Sequence, residues 1–363
     1  MVPATTLIAG PENTQLWVDD RFAHSFIEDA QVIPGATLGS QTRPNLKIQE
    51  GCGNRCTFCV IPTTRGSSRS LAPAKVLAQV RGFVAADGKE LVLSGINLGR
   101  WGRDLPENRS LVSLLREILE RTALPRLRLS SIEPMDWTPD LVQLIREYSS
   151  AQCNHRLARH THLPLQSGSD AVLRRMHRRY RPWHYEQKVF ALREAAGNEL
   201  ALGADVMIGF PGETDAEFRE THDLIARLPF TYLHLFPFSP RPGTRGWDLH
   251  RQSPVPAQAV SERMAALRDL AAEKSRAFRA SFLDQTLPCI TLHTSAHLAA
   301  QGRAAALTDN YIPVELTGNL PANQLLEVRI LSVEASGALL GSITSSEIEC
   351  APQTTPNLAL QST

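Results

Sequence analysis

Three cysteines lie close together in the first fifth of the chain. Cys52, Cys56 and Cys59 form a C-x3-C-x2-C pattern. Thiolates are soft ligands that suit iron–sulfur clusters or zinc. The spacing therefore predicts a metal centre built from a single short loop.

A loop of this kind can bind three irons of a [4Fe–4S] cluster and leaves the fourth iron without a protein ligand. That iron can chelate the amino and carboxylate groups of S-adenosylmethionine, and an electron from the cluster then releases a 5′-deoxyadenosyl radical. Gly51 and Gly53 allow tight turns beside the cysteines, and Phe58 could pack against the adenine of the cofactor. We favour this interpretation.

A structural zinc site is the alternative. It needs a fourth ligand, which closed zinc sites usually take from a second close pair, and the sequence has no second cysteine pair. His155, His160 and His162 could complete the site only if the fold brought one of them to the loop. A disulfide would leave one of the three cysteines over.

The elements around the loop alternate between short β-rich runs and amphipathic helical stretches. This alternation predicts a parallel sheet that curves into an open, partial (β/α)6 barrel with its site at the carboxyl ends of the strands. The predicted strands are Leu46–Gln49, Glu90–Ile96, Arg126–Ile132, Thr161–Leu165, Gly203–Ile208 and Tyr232–Phe236. The predicted helices are 73–86, 110–122, 138–147, 170–178, 183–196 and 214–228.

A long helix over 256–281 ends the alternation, and short β runs then predict a small all-β barrel. These runs are Pro288–His293, Tyr311–Leu316, Leu326–Val333 and Leu339–Ile343. The predicted organisation is a remnant and linker (1–45), an α/β core (46–281), a β-barrel (282–346) and a disordered tail (347–363).

The bulk composition is that of an ordinary globular protein. Of 363 residues, 42% are hydrophobic and 21% charged, and the net charge is +1. No run has the length of a membrane helix, so we expect a cytoplasmic protein without a membrane partner. The three remaining cysteines are far apart in sequence and are interpreted as small apolar residues: Cys153, Cys289 and Cys350.

A run of five arginines contains no acidic residue. It comprises Arg174, Arg175, Arg178, Arg179 and Arg181. Charge runs are usually solvated helix faces. The position of this one beside the predicted site favours contact with phosphate groups of a nucleic acid.

Several segments resemble the radical S-adenosylmethionine methylthiotransferases, which insert sulfur and then a methyl group into tRNA or ribosomal protein. The similarity covers about residues 46–345. The segment 93–105 (LSGINLGRWGRDL) is similar to the branch that acts on threonylcarbamoyladenosine in tRNA. The other similar segments are 47–69 (KIQEGCGNRCTFCVIPTTRGSSR), 162–180 (HLPLQSGSDAVLRRMHRRY), 205–214 (DVMIGFPGET), 238–244 (FSPRPGT) and 308–314 (TDNYIPV, as in the small RNA-binding TRAM barrel).

The resemblance implies further cofactor contacts. Gly95 and Asn97 correspond to positions that contact the methionine end of S-adenosylmethionine. Gln166 and Ser167 lie at the end of the fourth strand and face the same cavity. Gly209 corresponds to a position where adenine approaches the backbone closely. Turn formation is the alternative role for the glycines, and helix capping for Ser167.

The family also has an N-terminal domain with three further cysteines that bind a second cluster. Here 4–13 (ATTLIAGPEN) resembles only the last strand of that domain, and no cysteine precedes Cys52. Three explanations stay open: a truncated chain, sulfur supplied from elsewhere, or loss of thiolation.

The resemblance predicts a tRNA methylthiotransferase that modifies C2 of N6-threonylcarbamoyladenosine beside the anticodon, with an electron donor such as flavodoxin or ferredoxin. No general base is identified. The alternatives are a ribosomal-protein methylthiotransferase and an RNA-binding remnant without thiolation activity. The oligomeric state does not follow from the sequence.

Overall fold

The computed structural model describes residues 42–346. The predicted tail, most of the predicted N-terminal remnant and Cys350 lie outside the described residues.

The first part of the described chain alternates strands with helices. Its strands are β1 (Asn45–Glu50), β2 (Arg69–Ser70), β3 (Glu90–Gly95), β4 (Arg126–Leu129), β5 (His160–His162), β6 (Ala201–Ile208) and β7 (Tyr232–Pro237). Its helices are α1 (Ile61–Thr64), α2 (Pro73–Ala85), α3 (Leu111–Arg121), α4 (Pro139–Tyr148), α5 (Asp170–Arg175), α6 (Pro182–Ala196), α7 (Asp215–Arg227), α8 (Arg245–Gln252) and α9 (Ala257–Ala280).

These strands form two sheets, in the orders β2-β1-β3-β4 and β5-β6-β7. All neighbours are parallel except the short β2, which runs antiparallel to β1. A parallel bridge between Leu127 and Leu157 joins β4 to the start of β5. The parallel strands therefore follow one another in chain order around an open arc, which confirms the predicted partial barrel.

The two faces of the arc differ in polarity. On β6, the side chains of Ala204, Val206 and Ile208 are buried in the apolar core. Asp205, between them, faces the opposite way and is half-buried. The helices pack on the apolar face, so the concave face, which we call the lumen, is lined by polar groups.

The second part is a closed five-stranded barrel, which confirms the predicted small all-β barrel but has one strand more than the four predicted runs. Its strand order is β10-β12-β11-β8-β9. Its elements are β8 (Thr286–Thr291), α10 (Ala296–Ala300), β9 (Arg303–Thr308), β10 (Pro313–Thr317), β11 (Leu325–Val333) and β12 (Leu339–Ser346).

A loop between β9 and β10 docks this barrel on the amino-terminal ends of the core strands. Asp309, which is fully buried, accepts two hydrogen bonds from Arg159, at 2.5 and 2.9 Å. Arg128 donates to the backbone oxygen of Asp309 at 2.9 Å and to Glu90 at 2.7 Å. Tyr311 packs its ring 4.6 Å from that of His160. The loop therefore plugs the lower end of the lumen.

None of the helices between residues 42 and 346 combines the length with the apolar character that crossing a bilayer requires.

Candidate active site

The cysteine loop connects β1 to α1, at the carboxyl end of the first core strand. Cys52, Cys56 and Cys59 are half-buried free thiols. Gly51, which precedes them, has a φ of +72°, and a Cβ on it would lie 2.0 Å from the backbone oxygen of Ser67. Only glycine fits this close approach, so the start of the loop is fixed by the adjacent chain.

The middle of the loop is fixed by Thr57. Its amide donates to the oxygen of Met176 at 3.1 Å, and its hydroxyl donates to the oxygen of Arg175 at 2.9 Å. Its carbonyl accepts from the amide of Gly246 at 2.7 Å. The cysteines therefore lie on a loop tied to the end of α5 and the start of α8.

A network at the ends of β1 and β3 joins two of the predicted cofactor residues to the loop. The side-chain oxygen of Gln49 accepts from the amide of Asn97 at 2.6 Å, and its nitrogen donates to the oxygen of Gly51 at 2.8 Å. Asn97 places Nδ2 3.6 Å from Cys52 Sγ. A Cβ on Gly95 would lie 2.9 Å from the Gln49 side chain, so Gly95 makes room for this network.

Arg178 contacts the loop from the other side. Its guanidinium donates to Cys56 Sγ at 3.3 Å, pairs with Glu133, and lies over the ring of Tyr180 at 5.0 Å. The side chain of Arg178 is only 5% exposed. A buried cation that is hydrogen-bonded to a thiol stabilises negative charge on that sulfur.

The local backbone explains why Arg178 reaches the loop. Helix α5 ends at Arg175, earlier than predicted, because His177 takes a left-handed φ of +56°. The amide of Arg178 then donates back to the oxygen of Leu173 at 2.9 Å, which is a Schellman-type helix end. The chain turns at this point and directs Arg178 inwards.

Burial and charge act in opposite directions on Cys56. Burial raises the pKa of the Cys56 thiol above its ordinary value, while Arg178 lowers it, and the net shift is upward. Burial also raises the pKa of the Cys59 thiol. Both thiols have to lose their protons when a metal binds, because the thiolate is the ligand.

The remaining predicted cofactor residues lie at different depths. Gln166 has a left-handed φ of +63°, and its side-chain oxygen is buried without a hydrogen-bond partner. Ser167 is fully buried, and its hydroxyl lies 3.0 Å from that of Thr221 on α7, so here it secures packing between elements. Phe58 is partly buried against the core.

Gly209 follows β6 and has a φ of +75°. A Cβ on it would lie 2.5 Å from Cγ2 of Val260 on α9. The packing of α9 therefore accounts for a glycine at this position. Contact of Gly209 with adenine stays a prediction.

The five arginines do not form one free basic patch. Arg174 and Arg181 both pair with Asp170, at 2.8 and 3.3 Å, and Arg175 makes two hydrogen bonds of 2.8 Å to Glu217. Arg178 is buried against the cysteine loop, as described above. Arg179 is exposed, and no ion pair or hydrogen bond of its side chain occurs within residues 42–346. The run itself contains no acidic residue, but in the folded chain Asp170, Glu217 and Glu133 pair with four of its five arginines.

The histidines proposed for a zinc site point elsewhere. The Nδ1 of His155 lies 2.6 Å from the oxygen of Ser149, and rings of His160 and His162 both contact the hydroxyl of Tyr232. In the described part of the chain, none of the three contacts a cysteine sulfur. A closed zinc site on the cysteine loop is therefore not supported.

The residues present fit an iron–sulfur cluster with S-adenosylmethionine. Three free thiols share one loop, and the side-chain oxygens of Asn97 and Gln166 are buried without hydrogen-bond partners. Unpaired buried acceptors are rare in folded proteins and suit a donor such as the amino group of a ligand. Cys52, Cys56 and Cys59 would hold the cluster.

Comparison with known proteins agrees with this geometry. Residues 46–225 match the Radical SAM superfamily model. The chain is 33% identical over 307 residues to the threonylcarbamoyladenosine tRNA methylthiotransferase MtaB of Chlamydia pneumoniae, covering 84% of this chain and 68% of that protein. The chain belongs to the radical SAM methylthiotransferases.

Other methylthiotransferases show the same extent of similarity. MtaB of Bacillus subtilis (strain 168) is 34% identical over 301 residues, which cover 82% of this chain and 64% of that protein. The tRNA-2-methylthio-N(6)-dimethylallyladenosine synthase of Geobacter metallireducens is 30% identical over 342 residues, which cover 91% of this chain and 75% of that protein. The chain thus spans about two thirds of the length of these relatives.

Among solved structures, the radical S-adenosylmethionine methyltransferase TsrM from Kitasatospora setae matches with a TM-score of 0.47 and 18% identity, covering 58% of this chain and 39% of that chain. Radical SAM proteins use a [4Fe–4S] cluster and S-adenosylmethionine, as expected from the cysteine pattern.

Several residues that build the site were not found by sequence reasoning. Gln49, Thr57, Glu133 and Tyr180 contact the loop or its partners through side chains. The sequence offered only a weak indication of two of them. Gln49 is the polar last residue of one predicted strand, and Glu133 directly follows another, both at the end of the barrel that carries the site.

Proposed function

We propose that this methylthiotransferase modifies tRNA, adding a methylthio group to C2 of N6-threonylcarbamoyladenosine beside the anticodon. The observation that carries the proposal is the cysteine loop: three free thiols, of which Cys56 accepts from the buried guanidinium of Arg178 and Cys52 lies 3.6 Å from Nδ2 of Asn97. The unpartnered oxygens of Asn97 and Gln166 add two acceptors. The similarity to two MtaB proteins supports the choice of substrate.

The chain's own residues have separable tasks in this proposal. Cys52, Cys56 and Cys59 bind the cluster, Arg178 stabilises charge on Cys56, and the oxygens of Asn97 and Gln166 accept hydrogen bonds from S-adenosylmethionine. When bound at these residues, the cofactors would supply the radical chemistry needed at C2. The lumen receives the adenosine in this proposal.

The C-terminal barrel is assigned in this proposal to RNA binding, as a TRAM barrel. The protein would work in the cytoplasm and receive electrons from a flavodoxin or ferredoxin.

The test combines three measurements on anaerobically reconstituted protein: iron content, 5′-deoxyadenosine formation, and mass spectrometry of nucleosides from tRNA that carries threonylcarbamoyladenosine. About four irons per chain, deoxyadenosine, and a methylthio product together support the proposal. If S-adenosylmethionine is cleaved and a ribosomal protein becomes modified while the tRNA does not, the result would favour the ribosomal-protein branch. Iron-free, well-folded protein that still binds tRNA would favour an RNA-binding remnant.

Arg179 is the arginine of the run best placed to contact RNA, because it is exposed and unpaired in the described structure. We expect Arg179→Gln to weaken tRNA binding and to reduce the slope of log K against log salt by about one unit. Arg174→Gln is the matched control, since Arg174 is exposed but paired with Asp170. Equal effects of the two variants would argue against a specific phosphate contact by Arg179.

A further inference from the structure

A second group of metal-binding side chains lies in the lumen, apart from the cysteine loop. It consists of His162 on β5, Asp205 on β6 and His234 on β7. Asp205 and His234 are register partners, and His162 pairs with Gly203, two residues before Asp205. Three adjacent parallel strands therefore present these side chains side by side on the polar face of the sheet.

The distances within this group match those of a metal site. His162 Nε2 lies 3.1 Å and His234 Nδ1 lies 3.3 Å from the same oxygen, Asp205 Oδ1. One ligand atom from each of the three residues falls within 4.8 Å of the others. Zinc ligands at about 2.0–2.1 Å in a tetrahedron are separated by about 3.3–3.4 Å, so an ion would need little rearrangement.

One contact in this group, that between His162 and Asp205, is short but lacks hydrogen-bond geometry. His162 is 5% exposed, and its buried Nε2 makes no hydrogen bond despite its short distance to the carboxylate. An unsatisfied buried nitrogen is costly. A cation between the nitrogen and the carboxylate would satisfy both.

Tyr232 holds the His162 ring in place. Its hydroxyl lies 3.0 Å from Nδ1 of His162 and 2.6 Å from Nε2 of His160. Histidine ligands characteristically use their second nitrogen in such a bond, which fixes the ring orientation and leaves the first nitrogen for the metal. When Nδ1–H of His162 donates to Tyr232, the Nε2 lone pair faces Asp205.

We propose that His162, Asp205 and His234 bind a divalent transition-metal ion of the zinc class. Imidazole and carboxylate ligands suit zinc, and three protein ligands leave a further coordination position. The His234 side chain is 61% exposed, so an ion from solvent could reach the three side chains. This site is additional to the cluster site and does not depend on the radical chemistry.

The test uses the full chain with its cluster already reconstituted, so that the cysteines are occupied. The protein is equilibrated with Zn²⁺, desalted anaerobically and analysed for zinc and iron by mass spectrometry. We expect about one zinc per chain in addition to the cluster iron. His234→Ala and Asp205→Asn should abolish this zinc and leave the iron unchanged. Tyr232→Phe should weaken zinc binding about 10- to 100-fold.

His222→Ala is the matched control, because His222 lies 3.4 Å from Asp223 on the surface of α7, outside the lumen. It should keep its zinc. A second measurement uses Co²⁺ with the Cys52→Ala/Cys56→Ala/Cys59→Ala variant, whose spectrum should show d–d bands without thiolate charge transfer, and should lose them with His234→Ala. Substoichiometric zinc, or zinc that persists in the His234 and Asp205 variants, would overturn the proposal.

Discussion

At the scale of single residues, Arg178 is the buried positive charge in direct contact with the cysteine loop. Its buried guanidinium is shared between Cys56, Glu133 and the ring of Tyr180. Reduction of a cluster adds negative charge, and a cation with an N–H···S bond stabilises that added charge. In the proposed cluster site, Arg178 would therefore adjust how readily the cluster accepts an electron.

We expect Arg178→Gln to make the cluster harder to reduce, because the variant removes a positive charge beside one ligand sulfur. A redox titration followed by electron paramagnetic resonance should show a midpoint potential shifted to more negative values. Arg179→Gln provides the control, since Arg179 is the exposed neighbour. The role assigned to Arg178 would be wrong if both variants had the wild-type potential.

The sequence predicted the cysteine loop but not this role of Arg178. The three thiols follow one another within eight residues, so their pattern is visible directly. The contact between Arg178 and Cys56 joins residues 122 positions apart. Five neighbouring arginines look equivalent in a sequence, and the left-handed turn at His177 decides which one points inwards.

At the scale of elements, the cysteine loop depends on the two helices that it touches. Thr57 connects the loop to the last turn of α5 and to the first residues of α8. Neither α8 nor the early end of α5 was predicted, because polar segments with glycine, proline and arginine give weak helix signals. The loop is therefore held by elements that local patterns did not reveal.

We expect Thr57→Val to destabilise the fold by about 1–3 kcal/mol, because it leaves the part-buried oxygen of Arg175 without its hydroxyl donor. Urea unfolding of the apo protein gives the free-energy change, and the rate of iron loss to a chelator should rise in the reconstituted protein. Thr64→Val is the comparison, since the Thr64 hydroxyl makes a similar bond to Val60 on the exposed surface. Similar losses for both variants would contradict an anchoring role for Thr57.

Strand β9 was also missed. Its sequence, RAAALT, is rich in alanine, which favours helix and is uncommon in strands. Pairing with β8 and β10 on its two sides overrides that preference. Closure of the barrel was predictable from the remaining strands, but the element that completes it was not.

At the scale of the whole molecule, the interface between the core and the C-terminal barrel concentrates buried charge. Burial alone would raise the pKa of Glu90, but Arg128, Arg126 and Arg43 outweigh it, so that the pKa of Glu90 is lowered. Asp309 behaves in the same way through Arg159. Burial, with Arg128 nearby, lowers the pKa of His160 well below its ordinary value.

These shifts predict that the molecule loses stability on acidification. Each group binds protons more readily when unfolded, so its contribution is complete above its ordinary pKa and declines below it. The loss should begin below pH 6.5 through His160 and continue below pH 4.5 through Glu90. Melting temperatures measured from pH 8 to pH 4 check this.

His160→Gln should flatten the decline between pH 6.5 and about pH 5, because the variant cannot take up the proton. The exposed His293 gives the control: His293→Gln should keep the wild-type profile. An unchanged profile in the His160 variant would exclude this histidine as the source.

The TDNYI segment was interpreted as part of an RNA-binding barrel. The structure shows that Thr308, Asp309 and Tyr311 in this segment also contact Arg128, Arg159 or His160 of the core. If an RNA strand were held on the outside of the barrel, this docking would fix where the strand lies relative to the core. The distance from the held strand to the cysteine loop is set by the protein and not by the RNA. The nucleotide that reaches the lumen would then be selected by its distance along the strand from the held segment, independently of base recognition by side chains.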